Sequence, residues 1–189
     1  MARAGVTVER IVGTASEIAD EEGVTAVTMS AVAQRLGVSV PGLYKHVDGL
    51  PGVNRLLTVR ATNELAEVLS ASVMGQSGDA ALHSLCRAYR AYAKQYPGRY
   101  AATVTAPTAA DTEHQAAAAK ALAATLAMLS GYHLADDEAI DATRYLRSVL
   151  HGFVTLELVG GFGLPQDVDA SFEETVTATQ RALQSWKQK

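Results

Sequence analysis

Cysteine is almost absent from the 189-residue chain, which contains only Cys86. A single thiol excludes an internal disulfide and is typical of proteins in a reducing cytoplasm. No apolar run reaches the roughly 18 to 20 residues that a membrane-spanning helix needs. The first residues also lack the apolar core of a signal peptide. We therefore expect a cytoplasmic protein without a membrane partner.

Aromatic residues are also few, at 6% of the chain, although 48% of its residues are hydrophobic. Apolar positions recur at helical spacing, whereas no stretch alternates in polarity as a half-buried strand does. These features predict an all-α protein of about nine helices. The predicted helices span about residues 7–22, 30–36, 40–46, 50–74, 79–95, 99–104, 112–130, 136–160 and 171–187.

Signatures of catalysis and of metal binding are absent as well. The chain has no nucleophile elbow, phosphate-binding loop or dinucleotide fingerprint, and no evident pair of general acid and base. No two of its five histidines are three or four residues apart, so no two share a helix face as a metal clamp. We expect no enzymatic activity, no cofactor and no bound metal.

The most informative stretch is residues 28–47, which indicate two short helices joined by a tight turn. Gly37 is expected to end the first helix, as glycine does where the chain needs a positive φ. Ser39 is expected to cap the second helix. Pro41 falls in the first turn of that helix, where the missing N–H costs nothing.

The second helix of this pair is expected to present polar side chains outward. Leu43 and Val47 are expected to face inward, which leaves Tyr44, Lys45 and His46 on the outside. A helix this short buries little, so packing alone rarely explains one. The pattern predicts a helix-turn-helix, whose second helix enters the major groove of DNA. An ordinary helical hairpin is the alternative.

Residues 28–47 resemble the DNA-binding domain of the TetR family of bacterial repressors, through Thr28, Gln34, Leu36–Ser39, Leu43–Tyr44 and His46–Val47. The resemblance implies that residues 1–48 form a DNA-binding domain and that helix 4, about residues 50–74, connects it to the rest. Relatives usually carry a phosphate-binding lysine at the position that Leu50 occupies here, so the sequence departs from the family pattern at this residue. The residues expected to contact DNA are Thr28, Gln34, Ser39, Val40, Pro41, Gly42, Tyr44, Lys45 and His46.

The net charge of −4 argues mildly against nucleic-acid binding, but the charge is unevenly distributed. Between residues 24 and 62 the only acidic residue is Asp48, and the basic residues are Arg35, Lys45, Arg55 and Arg60. A local basic face is enough for contact with DNA phosphates. We expect such a face here, with modest non-specific affinity and a further phosphate contact available from Arg3.

A second resemblance covers the C-terminal half. Residues 150–162 are similar to the regulatory domain of a TetR subfamily named for a Trp-His-Gly signature, with Leu150 at the tryptophan position. The resemblance implies that residues 79–189 bind a small effector and form a homodimer. The clustered tyrosines favour either a mostly apolar cavity between helices 5, 7 and 8 or plain core packing. The candidate effector-binding residues are Tyr89, Tyr92, Tyr96, Met128, Tyr145 and His151.

Helices 8 and 9 carry the expected dimer interface. Helix 8 is apolar on two sides, so one side can face its own core while the other needs a partner. Apolar residues of helix 9 recur every 3.5 residues on average, the spacing of a helix–helix seam. The predicted interface residues are Val149, Leu156, Phe172, Val176, Leu183 and Trp186.

These observations predict a repressor that occupies a palindromic DNA operator as a homodimer and is released by a small apolar effector. A transcriptional activator is the alternative within the same family. A small helical ligand carrier or enzyme with a helix-turn-helix-like hairpin is the alternative from another class of protein.

Overall fold

A computed structural model describes residues 5–186, in which nine α-helices and two short 3-10 helices occur and no β-strand does. The all-α prediction is therefore confirmed. Arg3 and Lys187 lie outside the described residues. The helices are α1 (Val8–Glu22), α2 (Met29–Leu36), α3 (Val40–Leu43), α4 (Gly49–Val73), α5 (Gly78–Gln95), α6 (Pro97–Ala102), α7 (Thr112–Leu129), α8 (Asp136–Leu158) and α9 (Val168–Gln184).

The helices form two compact units. The first contains the chain up to Glu64 together with Tyr96–Ala118, and the second contains Leu65–Gln95 and the chain from Ala119 onward. The division passes through α4 and α7, so each of these helices contributes to both units. The assignment of residues 1–48 to DNA binding and of residues 79–189 to effector binding and dimerisation stays a prediction.

The first unit is built on α1. The Thr7 hydroxyl caps this helix by accepting a hydrogen bond from the main-chain N–H of Arg10 at 3.3 Å. The apolar side of α1, formed by Ile11, Ala15, Ile18 and Ala19, is buried in the core of this unit. The buried core consists of Ile11, Ala15, Ile18, Ala19, Val27, Met29, Val32, Ala33, Leu43, Val47, Val53, Leu57, Ala61 and Ala102.

Helix α6 approaches α1 closely at Gly98. A Cβ atom built on Gly98 would lie 1.9 Å from the carbonyl oxygen of Ala19, so only glycine fits this contact. The main-chain N–H of Arg99 donates to Asp20 at 2.8 Å, and the Arg99 guanidinium donates to Asp20 at 2.7 Å. The same guanidinium donates to Glu64 of α4 at 2.8 Å. Helix α6 is thereby held against both α1 and α4.

The second unit centres on α5, which packs against α8 and α9. Arg90 of α5 donates to Glu157 of α8 at 2.7 and 2.6 Å and to Asp169 of α9 at 2.6 Å. Lys94 also donates to Glu157, at 2.8 Å. The hydrogen bond from Arg90 is the main cause that lowers the pKa of Glu157 to about 2. This ionic cluster joins the three helices.

Several helix boundaries differ from the predictions, among them those of α9 and α6. Helix α9 begins at Val168 because the Asp167 carboxylate accepts the N–H groups of Asp169 and Ala170 at 2.7 and 3.4 Å. It ends at Gln184, so Trp186 lies beyond it. Helix α5 ends at Gln95 as predicted, whereas α6 begins at Pro97, two residues before its predicted start. Proline is tolerated at the first position of a helix because its missing N–H is not needed there.

Candidate nucleic-acid interface

The first helix of the predicted pair, α2, ends at Leu36 as predicted and begins at Met29, one residue before its predicted start. The Thr28 side-chain oxygen accepts the N–H of Ala31 at 3.0 Å and so caps the helix. Gly37 adopts a left-handed conformation with φ 68° and ψ 36°. The N–H of Val38 then bonds to the carbonyl of Ala33 at 3.0 Å, which closes the turn. This turn leads directly into the second helix.

The second helix, α3, is shorter than predicted. It spans Val40–Leu43, and the next three residues form a turn instead of continuing the helix to His46. The main-chain N–H groups of His46 and Val47 both bond to the carbonyl of Leu43, at 2.9 and 3.2 Å. Proline and glycine fill half of this helix, and both have low helix propensity.

Ser39 occupies the position before α3, but its side chain makes no capping hydrogen bond. The predicted side-chain cap is therefore wrong. The Ser39 side chain is exposed instead. Because it is exposed, the Ser39 hydroxyl is available for a hydrogen bond with another group.

The outward positions of this segment match the prediction. Leu43 and Val47 are buried in the core of the first unit, whereas the Tyr44 side chain is 60% exposed and Lys45 and His46 are also exposed. Val40 and Gly42 are half-buried. The other exposed members of the predicted set are Thr28, Gln34, Ser39 and Pro41. The contact of these residues with DNA stays a prediction.

The predicted basic face is largely neutralised by carboxylates. Arg35, Arg55 and Arg60 all form ion pairs within the first unit, including a contact of 2.7 Å between Arg60 and Glu64. Among the residues that the structure describes, Lys45 alone of the four predicted basic residues forms no ion pair. These ion pairs are not evident from the sequence, because most of the carboxylates are distant in sequence from the arginine that they contact.

The predicted effector-binding residues lie in both units, and three of them are buried. Tyr89, Tyr92 and Met128 are buried in the second unit. Tyr96 belongs to the first unit, where the Arg99 guanidinium lies 3.6 Å from the centre of its ring. Their assignment to an effector stays a prediction, with Tyr96 set apart from the group.

Two further residues of that set have neighbours of their own. The ring of Tyr145 lies 5.5 Å from the ring of Trp186, centre to centre. His151 is half-buried and lies 3.4 Å from the hydroxyl of Thr155. Both contacts are consistent with packing, the alternative reading of the tyrosine cluster.

An open groove of about 570 Å³ lies elsewhere in the second unit, between the end of α4, the following turn and α7. Small side chains of α7 form one wall. The lining residues are Ser70, Val73, Met74, Gly75, Gln76, Ser77, Ala123, Ala124 and Ala127. None of the predicted effector-binding residues lines this groove, and no pattern in the sequence singled it out.

The predicted dimer residues divide into two groups. Phe172, Val176 and Leu183 are each 1% exposed within the single chain. Because their own chain encloses them, they are unavailable to a partner, and their assignment to the interface is corrected. The stripe on α9 instead packs within the second unit, where α9 meets α5 and α8.

The remaining interface candidates stay accessible. Leu156 is 49% exposed, and Val149 and Trp186 are half-buried. A Cβ built on Gly152 would meet no atom within 4 Å, so the surface beside it is open. The predicted two-sided character of α8 is therefore present, with one side buried and the other accessible.

Two features are absent from residues 5–186, a membrane-spanning helix and a cluster of metal ligands. No helix in this range is both long and apolar enough to cross a membrane. No group of three or more His, Cys, Asp or Glu side chains in the same range is placed to hold a metal ion. Burial raises the pKa of the Cys86 thiol to about 12.

Two family models match the chain. Residues 11–46 match the model described as bacterial regulatory proteins, tetR family. Residues 82–179 match the model described as tetracyclin repressor-like, C-terminal domain. The finer resemblance of residues 150–162 to the Trp-His-Gly subfamily stays a prediction.

Curated relatives agree with these matches. The uncharacterized HTH-type transcriptional regulator YobS of Bacillus subtilis (strain 168) is 37% identical over 166 residues, 88% of this chain and 86% of the relative. The uncharacterized HTH-type transcriptional regulator Rv0681 of Mycobacterium tuberculosis is 37% identical over 169 residues, 89% of this chain and 77% of the relative. Both relatives are HTH-type transcriptional regulators by name.

Solved structures share the fold. The TetR family protein ActR of Streptomyces coelicolor, in complex with (S)-DNPA, superposes with a TM-score of 0.69 at 20% identity. The match covers 95% of this chain and 98% of ActR. With its helix-turn-helix, its two matching family models and its curated relatives, the chain belongs to the TetR family of helix-turn-helix transcriptional regulators.

Proposed function

We propose that this regulator is a repressor that occupies an inverted-repeat operator as a homodimer in the cytoplasm. The observation that carries the proposal is the exposure of Tyr44, Lys45 and His46 directly after α3, while Leu43 anchors that helix in the core. A short helix with a buried anchor and a polar outer edge suits the major groove, which is wide enough for one helix.

The proposed contacts divide between bases and phosphates. Tyr44 and Lys45 are proposed to reach base edges, because they are the longest exposed side chains beside the recognition helix. Ser39 and His46 are proposed to bind phosphate, which positions the helix without reading sequence. Pro41 is proposed to meet an apolar group such as a thymine methyl. Thr28 and Gln34 are exposed as well, and the half-buried Val40 and Gly42 complete the proposed set of DNA contacts.

Selection from a library of randomised duplexes tests this proposal. We expect the protein to enrich an inverted repeat with half-sites about 10 base pairs apart, or a multiple of that distance, because a two-fold dimer presents two recognition helices. Transcription from a promoter that overlaps the selected repeat should fall when the protein is added. Failure to enrich any sequence would contradict the DNA-binding role, and increased transcription would support an activator.

The dimer is proposed to form through the accessible side of α8. That side carries Val149, Gly152 and Leu156, and the 74% exposed Val159 extends it. The open surface beside Gly152 lets another helix approach closely, since glycine adds no side chain there. Exposed apolar side chains that lie together on an open surface are typical of a protein interface.

Leu156→Glu is expected to convert the dimer into a folded monomer, because it would place an unpaired carboxylate in the interface. Light scattering at micromolar concentration measures the change, and circular dichroism checks the fold. Leu122→Glu is the matched control, since Leu122 is a 36% exposed leucine of α7. A wild-type monomer would refute the dimer, whereas a dimeric Leu156→Glu variant would refute this surface.

A small, mostly apolar effector is proposed to bind the C-terminal half and release the protein from DNA. The match to a tetracyclin repressor-like C-terminal domain supports an effector, and ActR has been solved with (S)-DNPA bound. The buried side chains of Tyr89, Tyr92 and Met128 are largely apolar, and the two tyrosines add hydroxyl groups. They can contact an effector once the packing around them opens. Effector and operator binding would then weaken each other reciprocally.

A thermal-shift screen of apolar metabolites and antibiotics, followed by operator titrations, tests the effector. A true effector should raise the melting temperature, since it binds only the folded state. It should weaken operator binding by roughly 5- to 150-fold. Tyr92→Phe keeps the ring and should reduce the response if the hydroxyl binds the effector. Hits that stabilise the protein without changing operator affinity would contradict the coupling.

A further inference from the structure

Arg35, at the end of α2, is held by two carboxylates from the end of α1. Its guanidinium donates to Glu21 at 2.7 Å and to Glu22 at 2.9 Å. All three residues are exposed, so the cluster lies at the surface of the first unit. Arg35 directly precedes the turn of the helix-turn-helix, two residues before Gly37.

Arg55, in the first half of α4, is held in the same way. Its guanidinium donates to Asp111 at 2.8 and 2.7 Å and to Glu113 at 2.7 Å. Asp111 also accepts the main-chain N–H of His114 at 3.1 Å, which fixes the carboxylate at the start of α7. The hydrogen bond from Arg55 is the main cause that holds the pKa of Asp111 below its usual value.

Each cluster is net negative although an arginine lies at its centre. One guanidinium and two carboxylates sum to a charge of −1 in both cases. The first unit as a whole, residues 1–64 with 96–118, has seven Arg and Lys residues against nine Asp and Glu residues. The unit with the recognition helix therefore lacks the net positive charge that attracts DNA.

This charge arrangement has a direct consequence for binding to DNA of arbitrary sequence. Non-specific binding comes almost entirely from cations that neutralise phosphates and release counterions. An arginine that is already paired with two carboxylates gains little binding energy from a DNA phosphate. The phosphate must either displace those carboxylates or come close to their negative charge. Such a protein should bind DNA of arbitrary sequence weakly, and its affinity for that DNA should change little with salt concentration.

We propose that Glu21, Glu22, Asp111 and Glu113 compete with DNA phosphates for Arg35 and Arg55 and thereby suppress non-specific binding. This inference rests on the proposed DNA-binding function and names the groups that regulate it. Operator binding then depends mainly on the side chains that follow α3. The competing explanation is that the pairs only stabilise the fold. For the exposed Arg35 pairs that contribution is only about 0 to 1 kcal/mol each. The bidentate pair between Arg55 and the half-buried Asp111 is the stronger of the two clusters.

Glu21→Gln/Glu22→Gln tests the proposal with a mixed-sequence duplex as the probe. Fluorescence anisotropy would give the affinity between about 50 and 200 mM salt. Two freed Arg35 side chains per dimer should steepen the slope of log affinity against log salt by about 2, and raise affinity roughly 10-fold at the lower salt. Asp111→Asn/Glu113→Gln is the second variant, in which asparagine can still cap α7.

Glu173→Gln/Glu174→Gln is the matched control. It removes the same charge from an adjacent acidic pair in the second unit, where Glu173 holds the exposed Arg87 at 2.7 Å. The proposal predicts that this control changes duplex affinity much less than either variant of the first unit. Equal affinities and salt slopes for all three, with melting temperatures confirming that they are folded, would overturn it.

The outcome is separable from that of the proposed function. Suppose that the wild-type protein enriches an operator, but the first-unit variants bind mixed-sequence duplex with the same affinity as the control. That result would overturn only the proposed competition by carboxylates. A wild-type protein that enriches no sequence would overturn the proposed function. In that case the gain of duplex binding in the variants would still decide whether these carboxylates mask the arginines.

Discussion

Replacing Tyr44 or Lys45 by alanine is expected to abolish sequence-specific operator binding while the fold and the dimer survive. Both side chains are exposed, so their truncation removes no core contact. Each lost base contact costs about 1 to 3 kcal/mol, and a symmetric dimer loses it twice. A total of about 2 to 6 kcal/mol corresponds to an affinity loss of roughly 30-fold to 10⁴-fold.

A gel-shift titration with the selected operator measures this loss, and circular dichroism with light scattering checks fold and assembly. Tyr44→Phe separates the contributions of the ring and the hydroxyl. Met74→Ala is the control, because Met74 is a 78% exposed side chain of the second unit. Unchanged affinity in both Tyr44→Ala and Lys45→Ala would show that this segment is not the reading surface.

Gly98→Ala is expected to destabilise the first unit by roughly 3 kcal/mol or more. The added methyl would overlap the carbonyl group of Ala19, a backbone atom that cannot rotate away. Helix α6 would have to move off α1, which would also strain the hydrogen bonds between Arg99 and Asp20. The expected result is a lower urea midpoint, and weaker operator binding if α1 shifts.

Gly13→Ala is the matched control for this substitution. A Cβ at Gly13 would lie 3.5 Å from the guanidinium of Arg60, an ordinary contact, and Gly13 lies within α1. Alanine should therefore stabilise the helix by about 0.5 to 1 kcal/mol. A Gly98→Ala variant as stable as the wild type would show that α6 can separate from α1 without cost.

The helix-turn-helix could be predicted in detail because its signals are local. Gly37 supplies a positive φ, and Leu43 and Val47 define an inward side within a few residues of each other. The length of α3 was overestimated because periodicity continues through Tyr44 to His46, although the hydrogen bonds there already form a turn. Short helices depend on tertiary packing more than on pattern.

The errors in the charge and dimer predictions have a common physical origin. Arg55 and Asp111 are 56 residues apart, and nothing in the local sequence indicates that they meet. The stripe that includes Phe172 and Leu183 correctly indicated a buried face of α9. Periodicity shows that a face is buried but does not show whether its own chain or a partner covers it. The seam was therefore assigned to the wrong neighbour.

The burial of Cys86 has a practical consequence for spectroscopy. The only thiol of the chain is 1% exposed, and its pKa of about 12 leaves almost no thiolate at neutral pH. Since the thiolate is the reactive species, maleimide and methanethiosulfonate reagents should leave Cys86 unmodified in the folded protein. A probe cysteine introduced at the exposed Ser39 could then carry a spin label without prior removal of the native thiol. Pulsed distance measurements between two such labels would report the spacing of the recognition helices with and without effector.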